Sequence, residues 1–71
     1  MNGGELLRLL RRLGKANGVA VWYDAKPGKG SHGRVYYGAA FTTIKDRRKE
    51  IGEGLLRKML NDLGLKREDL Q

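Results

Sequence analysis

The apolar residues of this chain follow a helical period at both ends of the sequence and a different pattern between them. Near the start they recur at i, i+3, i+4 and i+7, and this first stripe consists of Leu6, Leu9, Leu10 and Leu13. Towards the end, a second stripe consists of Leu55, Leu56, Met59, Leu60 and Leu63. Each stripe predicts an amphipathic helix, because residues at this spacing share one face and can be buried together.

Local signals place the ends of both helices. Asn2 followed by Glu5 has the spacing of a capping box, so the first helix is predicted over roughly residues 3 to 14, with Gly14 and Gly18 at its exit. Ile51 stands where a hydrophobic staple would precede the second helix. Gly64 and the residue after it fit a Schellman ending, and the remaining tail, residues 66–71, is predicted to be a short turn or frayed.

Three short segments between the helices are rich in β-branched and aromatic residues, and they predict strands over roughly residues 19–24, 34–37 and 41–44. The intervening Gly38-Ala39-Ala40 suits a tight hairpin. The expected fold class is therefore α+β, in the order α-β-β-β-α, with both helices on one face of a three-stranded antiparallel sheet. That layout resembles the double-stranded-RNA-binding-domain-like fold.

Composition bounds the functions that are open to the chain. Fifteen Lys and Arg against eight Asp and Glu give a formal charge of +7 over 71 residues, and nucleic acids are common partners of such proteins. The chain has no cysteine, which excludes disulfides, thiolate metal sites and a cysteine nucleophile. Arginines interrupt the first leucine stripe, so it is not a signal sequence. We expect one soluble cytoplasmic domain over residues 1–71, with no membrane association.

The loop before the second strand concentrates the chemistry of the chain. It contains lysines, glycines, a hydroxyl group and the single histidine, and its candidate residues are Lys26, Lys29, Gly30, Ser31 and His32. Glycines let backbone N–H groups approach a phosphate, lysines neutralise its charge, and histidine is the side chain that changes charge closest to neutral pH. These properties suit cleavage of RNA by its own 2′-hydroxyl group, with His32 as base or acid. Arg34, just after the loop, is assigned to phosphate binding with it.

A histidine in a polar loop can also merely cap a turn, and that reading stays open from composition alone. A single histidine also cannot act as base and acid at the same instant, so a second group is needed. Tyr36, Tyr37 and the lysines are the candidates.

Three segments of the chain together resemble the HicA toxins, and they cover nearly its whole length. They are Lys29-Gly30-Ser31-His32 before a strand, the opening Glu5-Leu6-Leu7-Arg8-Leu9-Leu10, and the later run Lys49 to Leu65. Departures from the family pattern are Gly54-Leu55 in place of Gly-Thr, Lys45 in place of proline, and a loop lengthened through Pro27 and Gly28.

HicA toxins are mRNA interferases of type II toxin–antitoxin systems. The resemblance implies that His32 is the catalytic residue of a metal-independent endoribonuclease that needs no cofactor and arrests translation by cleaving mRNA. It also implies a HicB-like antitoxin that covers His32 and the basic face. The chain would then be a monomer when free and part of a hetero-oligomer with the antitoxin.

Two basic clusters outside the loop are candidates for RNA contacts. The first helix carries a basic stripe of Arg8, Arg11, Arg12 and Lys15, which can equally be only the solvated face of an amphipathic helix. Before the second helix stand Arg47, Arg48 and Lys49, which could bind phosphate together with that helix's N-terminus.

Aromatic residues in the strands are candidates for base stacking. If Val21 and Tyr23 point towards the helices, strand alternation puts Trp22 on the outer face, where Trp22 or Tyr36 could stack on RNA bases. Core packing is the competing role for each aromatic residue.

Three functions therefore remain to be compared: an endoribonuclease acting on mRNA, a non-catalytic RNA- or DNA-binding module of the same fold, and a ribosomal or scaffold-type interaction protein. Cleavage products distinguish the first from the other two. Salt-sensitive nucleic-acid binding without cleavage indicates the second.

Overall fold

The structure is a computed structural model that describes residues 1–25 and 32–70, and it confirms the predicted α-β-β-β-α order. The elements are helix α1 (Gly3–Asn17), strands β1 (Val21–Asp24), β2 (Gly33–Tyr37) and β3 (Ala40–Ile44), helix α2 (Glu53–Asp62) and a short 3-10 helix (Arg67–Leu70). The three strands form one antiparallel sheet in the order β1-β2-β3.

Helix α1 begins as the sequence predicts and ends later than predicted. The capping box is present: the Glu5 backbone N–H donates to Asn2 Oδ1 at 2.8 Å, and the Asn2 N–H donates to Glu5 Oε1 at 3.0 Å. The helix ends between Gly14 and Gly18, the two glycines predicted to bracket its exit, but it continues past the predicted residue 14 to Asn17 and is capped by Gly18, with φ +69°. Gly14 is buried, and a Cβ there would lie 2.6 Å from the carbonyl oxygen of Val19.

The strands differ from prediction mainly at the start of β1. It begins at Val21 rather than Val19, because the Val19 N–H donates to the Gly14 carbonyl at 2.8 Å and so belongs to the helix ending. The predicted hairpin between β2 and β3 is confirmed. Its turn is Gly38–Ala39, and Gly38 has the positive φ, +63°, that glycine adopts at little steric cost.

Both helices pack on the same face of the sheet. Residues that alternate along the strands point to this face, and Val35, Thr42 and Ile44 are buried there. One hydrophobic cluster joins them to leucines and a methionine from both helices: Leu6, Leu7, Leu10, Leu56, Met59, Leu60 and Leu63. The opposite face carries Trp22 and Phe41, which are 46% and 44% exposed. That face is not covered by either helix.

The helices bury slightly different faces from those predicted. In α1 the buried face includes Leu7 and two glycines, while Leu9 and Leu13 are only partly buried. In α2, burial of Leu55 was wrongly predicted, since it is 49% exposed. The residues from Leu56 onward already complete a helical stripe, and Leu55 is turned about 100° from it. No helix within residues 1–25 and 32–70 is long and apolar enough to cross a membrane.

The end of the described chain is a packed single turn of 3-10 helix, so of the two predicted alternatives the short turn fits and the frayed tail does not. The Schellman ending of α2 is confirmed: the Leu65 N–H donates to the Leu60 carbonyl at 2.8 Å, and Gly64 has φ +73°. The chain then forms the 3-10 helix, which packs against α1. Its last residue, Leu70, is buried in the core at 6% exposure.

Candidate nucleic-acid interface

His32 lies directly before β2, is exposed, and lines a shallow cleft of about 530 Å³. The cleft lies beside the N-terminus of α1. Its other lining residues within the described part of the chain are Asn2, Gly4, Tyr23, Ala25, Asp46, Arg47 and Arg48. The structure thus brings His32 together with Arg47 and Arg48 of the segment before α2. In the sequence, the whole β2–β3 hairpin lies between the histidine and these arginines.

The wall of the cleft beside His32 depends on a close approach between Tyr23 and Gly33. The half-buried Tyr23 of β1 faces the helices, and its phenolic oxygen occupies the space that a Cβ at Gly33 would fill. Any larger residue at position 33 would displace the tyrosine ring. Glycine next to the histidine therefore has a packing role in the site.

Arg47 is held in the cleft by its backbone and by its side chain. Its carbonyl oxygen accepts a hydrogen bond from the Gly4 N–H at 2.9 Å. A Cβ at Gly3 would lie 2.9 Å from Arg47 Cα and 2.8 Å from Ile44 Cγ2, so this glycine allows the segment to lie against α1. The Arg47 guanidinium carbon lies 4.6 Å from the centroid of the Tyr23 ring, within the range of a cation–π interaction.

Asp46 shapes the turn that carries the two arginines. Its Oδ1 accepts a hydrogen bond from the Arg48 backbone N–H at 2.9 Å, and the Arg48 Nε lies 3.6 Å from the same oxygen. The backbone hydrogen bond from Arg48 and the neighbouring positive charges hold the pKa of Asp46 below its usual value. Asp46 is therefore a carboxylate at neutral pH that fixes the turn.

A phosphate in this cleft would be bound by side chains rather than by the helix end. Three of the first-turn N–H groups of α1 already have acceptors: that of Gly4 donates to the Arg47 carbonyl, that of Glu5 to Asn2 Oδ1, and that of Leu6 to the Asn2 carbonyl. The positive charges available in the described lining are the guanidinium groups of Arg47 and Arg48. These guanidinium groups can bind an anionic ligand, and the exposed imidazole of His32 can transfer a proton to or from it.

The other predicted site residues that the structure describes lie in three places outside the cleft: on α1, in a groove between β3 and α2 and, for Arg34, on the outer face of the sheet. Lys26, Lys29, Gly30 and Ser31 lie outside the described residues. Arg8, Arg11 and Arg12 are exposed on α1 and are not among the residues that line the cleft. Lys49 lines a separate groove between β3 and α2. The predicted trio before α2 is therefore divided, because Arg47 and Arg48 lie with His32.

Neither tyrosine predicted to assist His32 lines its cleft. Tyr36 is on the outer face of the sheet, in register with Trp22 and Phe41. Tyr37 is at the far end of β2, where its hydroxyl accepts a hydrogen bond from Asn17 Nδ2 at 3.0 Å. The residue that sequence reasoning missed is Tyr23. Strand alternation predicted that it points inward, but not that it borders the histidine loop.

The outer face of the sheet carries a row of aromatic rings. The Trp22 and Tyr36 rings are stacked, with centroids 4.8 Å apart and planes 12° apart, and Phe41 is tilted against Tyr36 at 5.6 Å. The Arg34 guanidinium carbon lies 4.6 Å from the centroid of the Phe41 ring. The prediction that Trp22 points outward is confirmed.

Comparisons of the chain with protein-family models, curated proteins and solved structures found no match. The likeness to HicA toxins therefore depends on the sequence segments quoted above. Within residues 1–25 and 32–70 there is no group of three or more His, Asp or Glu side chains placed to hold a metal ion.

Proposed function

We propose that this chain is an endoribonuclease of the HicA type, with a double-stranded-RNA-binding-domain-like fold, that cleaves mRNA in the cytoplasm. The observation that carries the proposal is the placement of the exposed His32 in one cleft with Arg47 and Arg48. An imidazole beside two guanidinium groups supplies proton transfer and phosphate binding at one point. The net charge of +7 favours a polyanionic substrate.

The proposed reaction is attack by the RNA's own 2′-hydroxyl group on the adjacent phosphorus. The bond from the 2′-oxygen to phosphorus forms, and the bond from phosphorus to the 5′-oxygen breaks. A base removes the 2′-hydroxyl proton and an acid protonates the leaving 5′-oxygen, which yields a 2′,3′-cyclic phosphate and a 5′-hydroxyl end. His32 transfers one of these protons, and Arg47 and Arg48 stabilise the charge on the phosphate oxygens.

Tyr23 is our candidate for the second proton-transfer group. It lines the cleft with His32, and its hydroxyl lies over Gly33, the residue next to the histidine. Asp46 is the weaker candidate, because its lowered pKa makes it a poor base and its oxygen already accepts the Arg48 N–H. We therefore assign Asp46 to positioning and Tyr23 to proton donation.

The test compares the unmodified chain with His32→Ala and Tyr23→Phe on a labelled RNA without secondary structure. We expect His32→Ala to abolish cleavage and Tyr23→Phe, which removes only a hydroxyl group, to lower kcat with little change in KM. The products should end in a cyclic phosphate, and RNA with 2′-O-methyl groups should remain intact. A folded His32→Ala variant that cleaves at the original rate would refute the assignment.

The second candidate is a nucleic-acid-binding module without catalysis, which is favoured by the additional basic stripe on α1. It predicts salt-sensitive binding of RNA with no cleavage products at any pH. Cleavage that is removed by further purification while RNA binding is retained would indicate a contaminating nuclease and would support this candidate.

We further propose that a HicB-like antitoxin neutralises the chain by covering His32 and the basic side chains around it. An acidic partner surface would pair with the cleft arginines and exclude RNA from the same space. Titration of the antitoxin against labelled RNA and the His32→Ala chain should displace the RNA. Formation of a ternary complex with RNA still bound would contradict exclusion as the mechanism.

A further inference from the structure

The aromatic row on the outer sheet face has an open end at Trp22. Trp22 lies on β1, an edge strand, and one face of its indole is stacked on Tyr36 at 4.8 Å. The opposite face of the ring is consequently directed away from the sheet's aromatic neighbours, and the side chain is 46% exposed.

We infer that this face binds an unpaired base of single-stranded RNA, which stacks on Trp22 and extends the Trp22–Tyr36 pair by one ring. Base–aromatic stacking requires only a flat accessible ring, so it suits a sequence-tolerant contact. It also requires a base whose face is free, which selects a single strand over a duplex. The stacking itself does not depend on cleavage. The identification of the strand as RNA rests on the proposed function.

Charge favours a nucleic acid over an apolar protein segment as the occupant of this face. Arg34 lies beside Phe41 on the outer face, and the chain as a whole carries a charge of +7. Asp24 is opposite Arg34 in the strand register, so its charge partly offsets that of Arg34 locally. Phosphates that flank a stacked base are therefore attracted mainly by the net positive charge of the chain.

The platform is also within reach of the candidate active site along one strand. Tyr36 follows His32 by four residues, all of them in β2, and four residues span about 13 Å at the rise of an extended strand. An RNA that places its reacting phosphate at His32 can therefore bring a neighbouring base round the end of the sheet to Trp22. The stack would help to hold the strand while the cleft acts on it.

The experiment uses the intrinsic fluorescence of Trp22, which is the single tryptophan of the chain. All variants carry His32→Ala, so that RNA stays intact, and the titrants are an unstructured ten-nucleotide RNA, its DNA counterpart, an abasic strand with the same phosphates, and a duplex. We expect the single strands to quench Trp22 strongly and the abasic strand and the duplex to quench it weakly. RNA should bind at least as tightly as DNA.

Affinity is then measured by anisotropy of a labelled RNA. Trp22→Ala should weaken binding about fivefold to 150-fold, and Trp22→Tyr should restore most of it, because a second aromatic ring keeps the stacking surface. Leu55→Ala is the matched control, since Leu55 is a similarly exposed apolar residue on α2, and it should change nothing. Unchanged binding by Trp22→Ala, an equal loss in Leu55→Ala, or equal quenching by the abasic strand would overturn the inference. So would Trp22-dependent self-association in the absence of RNA.

The outcome is separable from the proposed function by a cleavage assay on chains that retain His32. Quenching of Trp22 without any cleavage would support the stacking site at Trp22 and refute the proposed ribonuclease activity. Cleavage with a KM unaffected by Trp22→Ala would support the ribonuclease activity and refute the stacking site. If both stand, Trp22→Ala should raise KM and leave kcat nearly unchanged, because the ring touches a base away from the reacting phosphate.

Discussion

The Arg47 guanidinium carbon lies 4.6 Å from the centre of the Tyr23 ring, and this pair joins the segment before α2 to the first strand of the sheet. Arg47 is exposed and Tyr23 is half-buried, so the arginine forms the outer layer of the contact. The tyrosine thereby orients a positive charge beside His32, whose cleft both residues line.

We predict that Arg47→Ala lowers kcat/KM for RNA cleavage about tenfold to a hundredfold, since a phosphate-stabilising charge is lost from an open, partly screened cleft. The kcat/KM of Arg47→Lys should lie between those of the unmodified chain and Arg47→Ala, because lysine keeps the charge but lacks the planar group that stacks on Tyr23. Arg57→Ala removes the same charge from the exposed face of α2 and should have little effect. An equal loss in the Arg57 variant would mean that net charge alone is responsible.

Gly33→Ala should destabilise the fold and damage the site together. The new methyl group meets the phenol of Tyr23, and overpacking of this kind costs about 1–3 kcal/mol. Urea unfolding measures the loss, and cleavage should fall because the Tyr23 ring moves. Gly54→Ala is the matched control: its Cβ would enter open space on α2, so it should stabilise the helix by about 0.5–1 kcal/mol. Equal unfolding free energies for the two variants would contradict the Tyr23 contact.

The lowered pKa of Asp46 predicts a contribution to stability that depends on pH. A carboxyl group whose pKa is lower in the folded state stabilises the fold above its unfolded-state pKa, about 4, and loses this effect as pH falls through the folded-state value. Asp46→Asn keeps an acceptor oxygen and removes the charge. Its thermal midpoint should therefore be below that of the unmodified chain at pH 7, and the two should converge as the pH falls through the lowered folded-state pKa of Asp46. A gap that persists at low pH would show that the charge of Asp46 is not responsible.

Burial of the 3-10 helix predicts that the end of the described chain contributes to stability. Leu70→Ala should cost about 2–3 kcal/mol in the free energy of unfolding, at the lower end of the range for a core leucine. Leu55→Ala, at the exposed position on α2, should change it by no more than about 0.5 kcal/mol. The comparison requires only chemical denaturation. Comparable losses at the two positions would contradict the burial that distinguishes them.

Sequence patterns predicted the order of elements because the helical and strand periods of this chain are distinct and its caps are strong. They predicted Asn2 and Gly64 correctly at helix ends, since both act through local hydrogen bonds. They did not predict the burial of Gly14, which packs against the chain as it turns back at Val19 and Val21, or that of Leu70, whose 3-10 helix packs against α1 at the other end of the chain. A glycine near the end of a predicted helix can mark the end of the helix or a close packing contact inside it. The sequence alone does not distinguish these two roles, because the packing partner must be known.

The candidate site was predictable only in part for the same reason. The sequence indicated His32 and the arginines as separate features, but nothing local connects residue 32 with residue 47. The connection comes from the Gly4 hydrogen bond to Arg47 and from Tyr23, both of which are tertiary contacts. By contrast, strand alternation correctly put Trp22 on the face opposite Val21 and Tyr23, and the structure shows that Trp22 is on the outer one.

Ile44 lies at the junction of these two parts of the molecule. It is buried at 2% exposure, is paired in register with Gly33, and leaves only glycine-sized space at Gly3, against which the Arg47 backbone also lies. One side chain thus packs in the core and against the start of α1, where the Arg47 backbone also lies. A substitution at position 44 would therefore be selected for its effects on stability and on activity at the same time, because it would change both.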